Sequence, residues 1–91
     1  MFVLVSYDVA AGRTERFRRL LSRYLVHEQN SVFCGLLGRP DFQEMKTGLK
    51  AELTDADRVL MLVCENRFNV DVLRFGSDED RVPTDKKSVV L

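Results

Sequence analysis

The stretch Phe2-Val-Leu-Val-Ser-Tyr-Asp8 sets the architecture. It is β-branched, aliphatic and aromatic until it ends in an acid, and so reads as a short strand. Phe2 to Val5 are apolar at successive positions. Successive strand side chains point to opposite faces, so both faces of the sheet are apolar here. Val59-Leu-Met-Leu-Val-Cys64 repeats the pattern and reads as another two-faced strand.

Between these strands the period changes. After a turn at Ala10-Ala-Gly12, the apolar residues of Arg13 to Val26 fall at Phe17, Leu20, Leu21, Tyr24 and Leu25, the spacing of an amphipathic helix. Asn30 to Cys34 reads as a strand, with Gly35 free to bend it. Gly38-Arg-Pro40 breaks the chain before a second helix over Asp41 to Leu53, carried by Phe42, Met45, Leu49 and Leu53. Thr54 to Asp57 is a loop, with Asp55 and Asp57 read as loop and strand-entry residues. Val70 to Phe75 is expected to return as the hairpin partner of Val59–Cys64, and Ser88 to Leu91 as a short last strand.

The resulting order, β-α-β-α-β-β, is that of an α+β, ferredoxin-like sandwich: two helices on one face of a four-stranded antiparallel sheet, plus a short C-terminal strand. A single domain spans 1–91, with about 77–91 as a C-terminal extension. Two helices cover one face only. A second copy related by a two-fold axis is the expected cover for the other, giving a homodimer. The alternative is that the C-terminal hairpin folds back within one chain.

The 91 residues suffice for one modest core, and 45% hydrophobic with 31% charged residues describes a globular chain. No apolar run approaches the roughly 20 residues of a membrane span, and no basic leader precedes the first apolar residues. A membrane protein and a secreted precursor are excluded on this reading, and a cytoplasmic location is expected. Cys34 and Cys64 lie far apart in apolar runs, the pattern of reduced, buried thiols. With His27 the sole histidine, a zinc site is not expected. No glycine-rich phosphate loop or serine nucleophile elbow occurs.

Net charge is zero but unevenly spread. Residues 1–39 carry six arginines against Asp8, Glu15 and Glu28; residues 40–91 carry eight basic groups against eleven acids. On a helical wheel Arg16, Arg19 and Arg23 fall within about 60° of one another, beside the buried face, and Arg13 joins them from the first turn. A one-signed stripe of this kind suits the phosphate backbone of nucleic acid. Asp8 shares a sheet face with Ser6, Leu4 and Phe2. An acid at a strand end is an ordinary terminator; two copies brought together by a dimer axis would also hold magnesium, which takes only one or two protein carboxylates.

Three local features then resemble the small CRISPR-associated adaptation nucleases, the Cas-two family: the strand ending Val5-Ser-Tyr7-Asp8, the arginine-rich Arg13 to Arg23, and Gln29-Asn-Ser31-Val32-Phe33. Element order and length agree, so the resemblance covers nearly the whole chain. It implies a ferredoxin-like homodimer with Asp8 as catalytic and magnesium-binding residue. Arg13, Arg16, Arg19 and Arg23 would seat RNA or double-stranded DNA, with Tyr7, Ser31 and Phe33 in support. It also implies metal-dependent phosphodiester hydrolysis and a place beside the CRISPR integrase subunit in spacer acquisition. Arg58-Val-Leu-Met and the tail from Phe75 depart from the family's commoner pattern. The tail, Phe75-Gly76 followed by Arg81-Val-Pro83, resembles members with an extended C-terminal hairpin that docks an integrase, for which a non-catalytic scaffold dimer bridging integrase subunits is the alternative. A third reading, an effector-binding regulatory dimer, explains the two-faced strands but leaves the arginine stripe unused.

Overall fold

The computed structural model describes residues 1–76; the expected last strand and the extension at 77–91 lie outside them. The described elements are β1 (Phe2–Asp8), a 3-10 turn at Ala11–Arg13, α1 (Thr14–Leu21), β2 (Val26–Gln29), β3 (Val32–Leu36), α2 (Arg39–Glu52), β4 (Arg58–Cys64) and a 3-10 turn at Arg67–Asn69. The sheet runs β2-β3-β1-β4, antiparallel throughout, with both helices on one face. This is the ferredoxin-like sandwich.

The fourth strand comes from a different part of the chain than expected. It is Val26–Gln29, not Val70–Phe75, and the order is therefore β-α-β-β-α-β. The helical spacing through Leu25 is real, but α1 itself stops at Leu21. The amides of Arg23, Tyr24 and Leu25 then bond back to Leu20 and Leu21 carbonyls at 3.2, 3.0 and 2.8 Å. This closing turn keeps Tyr24 and Leu25 on the buried side without continuing the helix. β2 is a four-residue edge strand of mostly polar residues, so its alternation is too short to stand out. Asn30, at φ 39°, supplies the left-handed residue for the tight connection into β3, a conformation asparagine tolerates.

On the helix side, Val3, Val5 and Tyr7 of β1 pack with Phe33, Phe17 and Met45 in the main core. Burying each such aliphatic or aromatic side chain stabilises the fold by about 1.5–3 kcal/mol. α2 carries Gly48 at its contact with α1, where a Cβ would stand 3.0 Å from Leu20 Cδ1. The glycine, unfavourable for helix propensity, thus serves the approach of the two helices.

On the other side, residues 70–75 form no ladder with β4 but run as an extended strap over the sheet. Val70 and Val72, with Leu4 and Cys64, pack against the buried pair Phe2 and Cys34, and Arg74 reaches Glu28 of β2. The chain's own segment therefore covers the Phe2 end of this face, while Leu60 and Leu62 stay 60% and 56% exposed.

Candidate metal and nucleic-acid site

Asp8 ends β1 opposite Arg58, the first residue of β4. It is exposed, and among the described residues its carboxylate accepts no hydrogen bond and joins no ion pair. It stands on the strap side of the sheet, at the end the strap does not reach. A bare carboxylate with free lone pairs is a hard oxygen donor suited to magnesium. Among the described residues no group of three or more His, Cys, Asp or Glu converges to hold a metal ion. Asp8 by itself stands at the lower limit of what magnesium takes from protein, one or two carboxylates.

The neighbouring residues serve the strand end from the opposite face. Tyr7 is buried in the core, its ring stacked on Phe17 at 5.5 Å and near Phe33 at 6.2 Å between centroids; burial pushes its hydroxyl pKa up. Phe33 is wholly buried and carries His27 stacked at 4.6 Å on its other side. Tyr7 and Phe33 are therefore core residues whose side chains point away from Asp8. Ser31 meets the strand through its backbone: its carbonyl accepts from the Tyr7 amide at 3.2 Å, fixing the β2–β3 hairpin beside the Asp8 end.

The arginines divide. Arg13 departs from the exposed stripe because its fork is already engaged. Nε donates to Asp57 Oδ1 at 3.2 Å, and Nη2 donates to Asp57 Oδ2 at 2.8 Å and to the Glu52 carbonyl at 2.7 Å. Asp57 lies in the loop at the entry to β4, as read, and is buried there; Oδ2 also accepts from the Thr54 amide and hydroxyl at 2.9 and 3.0 Å. Arg13, followed by burial and the Thr54 bonds, decides its titration, and the net effect holds the carboxyl below its ordinary range. The local signal was Thr54-x-x-Asp57, a side chain bonding back to the backbone three residues earlier. Its arginine partner lies 44 positions away, beyond any spacing rule.

Arg16 and Arg19 remain exposed on α1. Arg16 Nη1 lies 3.7 Å from Glu52, and Arg19 lies 3.8 Å from Glu15. Such surface contacts contribute little and yield readily to phosphate. Glu15 is chiefly held by Arg18, through bonds of 3.0 and 2.5 Å. Arg23 falls in the turn beyond α1, its guanidinium 5.6 Å above the Tyr24 ring. Of the four stripe arginines, Arg16, Arg19 and Arg23 are exposed and Arg13 is not; Arg18 is also exposed but holds Glu15.

The two cysteines flank β1 on the strap side, Cys34 opposite Leu4 and Cys64 opposite Phe2. Both are free; Cys34 is buried, whereas Cys64 is half-exposed rather than buried as expected. Among the described residues no helix is long and apolar enough to cross a membrane.

These features define a small ferredoxin-like domain that presents a lone strand-end acid and an arginine-bearing first helix. Comparison with known proteins narrows the class. The family model described as CRISPR associated protein Cas2 matches residues 1–70. A Haloferax volcanii protein named CRISPR-associated endoribonuclease Cas2 is 38% identical over 80 residues, 88% of this chain and 93% of that protein. A Nanoarchaeum equitans protein of the same name is 31% identical over 81 residues, 88% and 89% of the two chains. A solved structure titled "Crystal structure of cas2" superposes with a TM-score of 0.76 at 37% identity, covering 87% of this chain and 90% of that one. Streptococcus pyogenes Cas2 superposes at 0.65 with 28% identity, over 81% of this chain and 100% of the other. The chain belongs to the Cas2 family of CRISPR-associated proteins.

Proposed function

We propose that this chain is a magnesium-dependent endonuclease that cleaves RNA phosphodiesters as a homodimer, and that the dimer takes its place beside an integrase subunit in spacer acquisition. The observation that carries the reading is Asp8: a carboxylate exposed and without a partner among the described residues, at a strand end whose position is fixed from the other face by the Tyr7–Phe17–Phe33 stack. The names of the Haloferax and Nanoarchaeum relatives, both endoribonucleases, favour RNA over DNA.

Exposed Leu60 and Leu62 offer a second copy an apolar seat on the same face as Asp8, which raises the count of carboxylates from one to two. Asp8 holds the cation through its carboxylate oxygens. Arg16, Arg19 and Arg23 neutralise backbone phosphates and keep the strand in register over the acid. Magnesium, when bound, supplies Lewis-acid stabilisation of charge at the phosphate. The strap keeps the Phe2 end of the face dry while leaving the Asp8 end wet, so substrate enters from the Asp8 end.

The test is cleavage of RNA and duplex DNA by wild type and Asp8→Asn, with magnesium and with chelator. Cleavage that needs both magnesium and Asp8 supports the enzyme. Absence of cleavage, with salt-sensitive nucleic-acid binding retained in both proteins, overturns it in favour of the scaffold dimer. The arginines of α1 favour that second reading as much as the first, because their exposure does not depend on Asp8.

A further inference from the structure

We infer that Arg13 and Asp57 act as one positioning unit for Asp8, and that Arg13 makes no phosphate contact of its own. The inference deepens the nuclease reading above and rests on it. Asp8 leaves the sheet opposite Arg58. Five residues later, at Arg13, the chain is caught again by Asp57, the residue immediately before Arg58. The loop 9–12 is thus closed at both ends against the start of β4, by the ladder at Asp8 and by the ion pair at Arg13. The Arg13 amide also bonds to the Ala10 carbonyl at 2.8 Å, which tightens the loop from within.

The donors around Asp57 hold the same junction. The Asp57 side chain is 1% exposed and receives Arg13 Nε, Arg13 Nη2, the Thr54 amide and the Thr54 hydroxyl. Arg13 Nη2 also holds the Glu52 carbonyl at the end of α2. One guanidinium therefore joins the start of α1, the end of α2 and the entry of β4, next to the proposed metal ligand. A phosphate drawn to Arg13 would meet the Asp57 carboxylate and the Glu52 carbonyl already there. Like charge repels it, and moving Arg13 away would leave a buried, unpaired acid. Arg16 and Arg19, 62% and 76% exposed at the side chain, make only long surface contacts, at 3.7 Å to Glu52 and 3.8 Å to Glu15, which a phosphate displaces without leaving a buried acid.

Loss of the pair loosens the loop that follows Asp8, and displacement of a reacting group by about 1 Å lowers turnover by about 100-fold. The experiment compares wild type, Arg13→Gln, Arg13→Lys, Asp57→Asn and the Arg13→Gln/Asp57→Asn double variant, each checked for a cooperative melt. Magnesium-dependent cleavage of a single-stranded RNA oligonucleotide gives kcat and KM; binding of the same RNA across a salt series gives the slope of log K against log salt.

The expected result is a loss of kcat of about 10- to 100-fold in every variant, with KM and the salt slope unchanged. The double variant should be no worse than either single one, as for residues acting together. Arg13→Lys keeps the charge but cannot form the fork, so it should fail like Arg13→Gln. The inference is overturned if Arg13→Gln weakens binding and lowers the slope by about 0.7–1 while Arg13→Lys and Asp57→Asn bind as wild type. It is also overturned if the folded variants of an active wild type keep their kcat. An inactive wild type overturns the nuclease reading and the positioning role with it; the salt slopes still decide whether Arg13 touches phosphate.

Discussion

Arg74 and Glu28, 46 positions apart, meet in a two-point ion pair at 2.8 and 2.6 Å on the strap side of the sheet. Glu28 also accepts the Cys34 thiol at 3.3 Å. The pair pins the strap across β4, β1 and β3 onto the edge strand β2, and it closes over a buried sulfur.

Releasing that pin is expected to uncover the sulfur. Arg74→Ala in a Cys64→Ser background should lower stability by about 1–2 kcal/mol, the scale of a charge-assisted hydrogen bond discounted for partial exposure. It should also raise the rate at which Cys34 reacts with a thiol reagent well above that of the parent. Cys34 is otherwise inert, because burial first, and the nearby Glu28 next, push its pKa up to about 12 from 9.0. Labelling kinetics beside urea unfolding read both effects; equal labelling rates would remove the strap from its protective role.

Acid should weaken the fold in a defined window. Asp57 and Glu28 have pKa values lowered from 3.8 and 4.5, in each case chiefly by the hydrogen-bonded arginine. A carboxylate that binds its proton less readily when folded contributes stability above its unfolded pKa. That contribution is lost as the pH falls below about 4.5 and through the folded values. Melting temperature followed from pH 6 to pH 3 should drop steeply below about pH 4.5. Arg13→Gln and Arg74→Ala should each flatten that limb.

The two halves of the stacked trio separate structure from chemistry. Phe33→Ala, which empties a wholly buried site, should cost about 3–5 kcal/mol. Tyr7→Phe keeps the ring contacts and should change neither stability by more than about 1 kcal/mol nor cleavage. A large loss of cleavage in a stable Tyr7→Phe protein would place the hydroxyl in the chemistry.

The proposed second copy has its own test. Leu62→Glu, alone or with Leu60→Glu, puts charge on an exposed apolar patch without touching the core. Sedimentation should then show monomer where wild type shows dimer, at an unchanged melt of the isolated chain. Identical sedimentation of wild type and variant would remove this face from the association.

Much of this was legible in the residues because the periodicities are strong. The two-faced runs Phe2–Val5 and Val59–Cys64 gave β1 and β4, and the spacing of Phe42, Met45 and Leu49 gave α2. The origin of the fourth strand was not legible. Val26-His-Glu-Gln29 is short, polar and at an edge, so neither hydrophobic alternation nor β-branching marks it. Val70–Phe75 alternates like a strand because one side of the strap is buried, yet its cover is side-chain packing, without a ladder to β4. Asp8 stood out as a strand-end acid. The engagement of Arg13 did not, since a wheel projection shows which way a side chain leaves a helix but not which distant carboxylate receives it.

The two sides of β1 answer to separate demands. Val3, Val5 and Tyr7 are all buried in the core, whereas Phe2, Leu4, Ser6 and Asp8 pass from buried through half-buried to exposed along the other side. Substitutions at positions 6 and 8 are therefore insulated from the folding requirement carried by positions 3, 5 and 7. A lineage built on this strand is free to lose, restore or exchange its surface chemistry one residue at a time while inheriting the same scaffold.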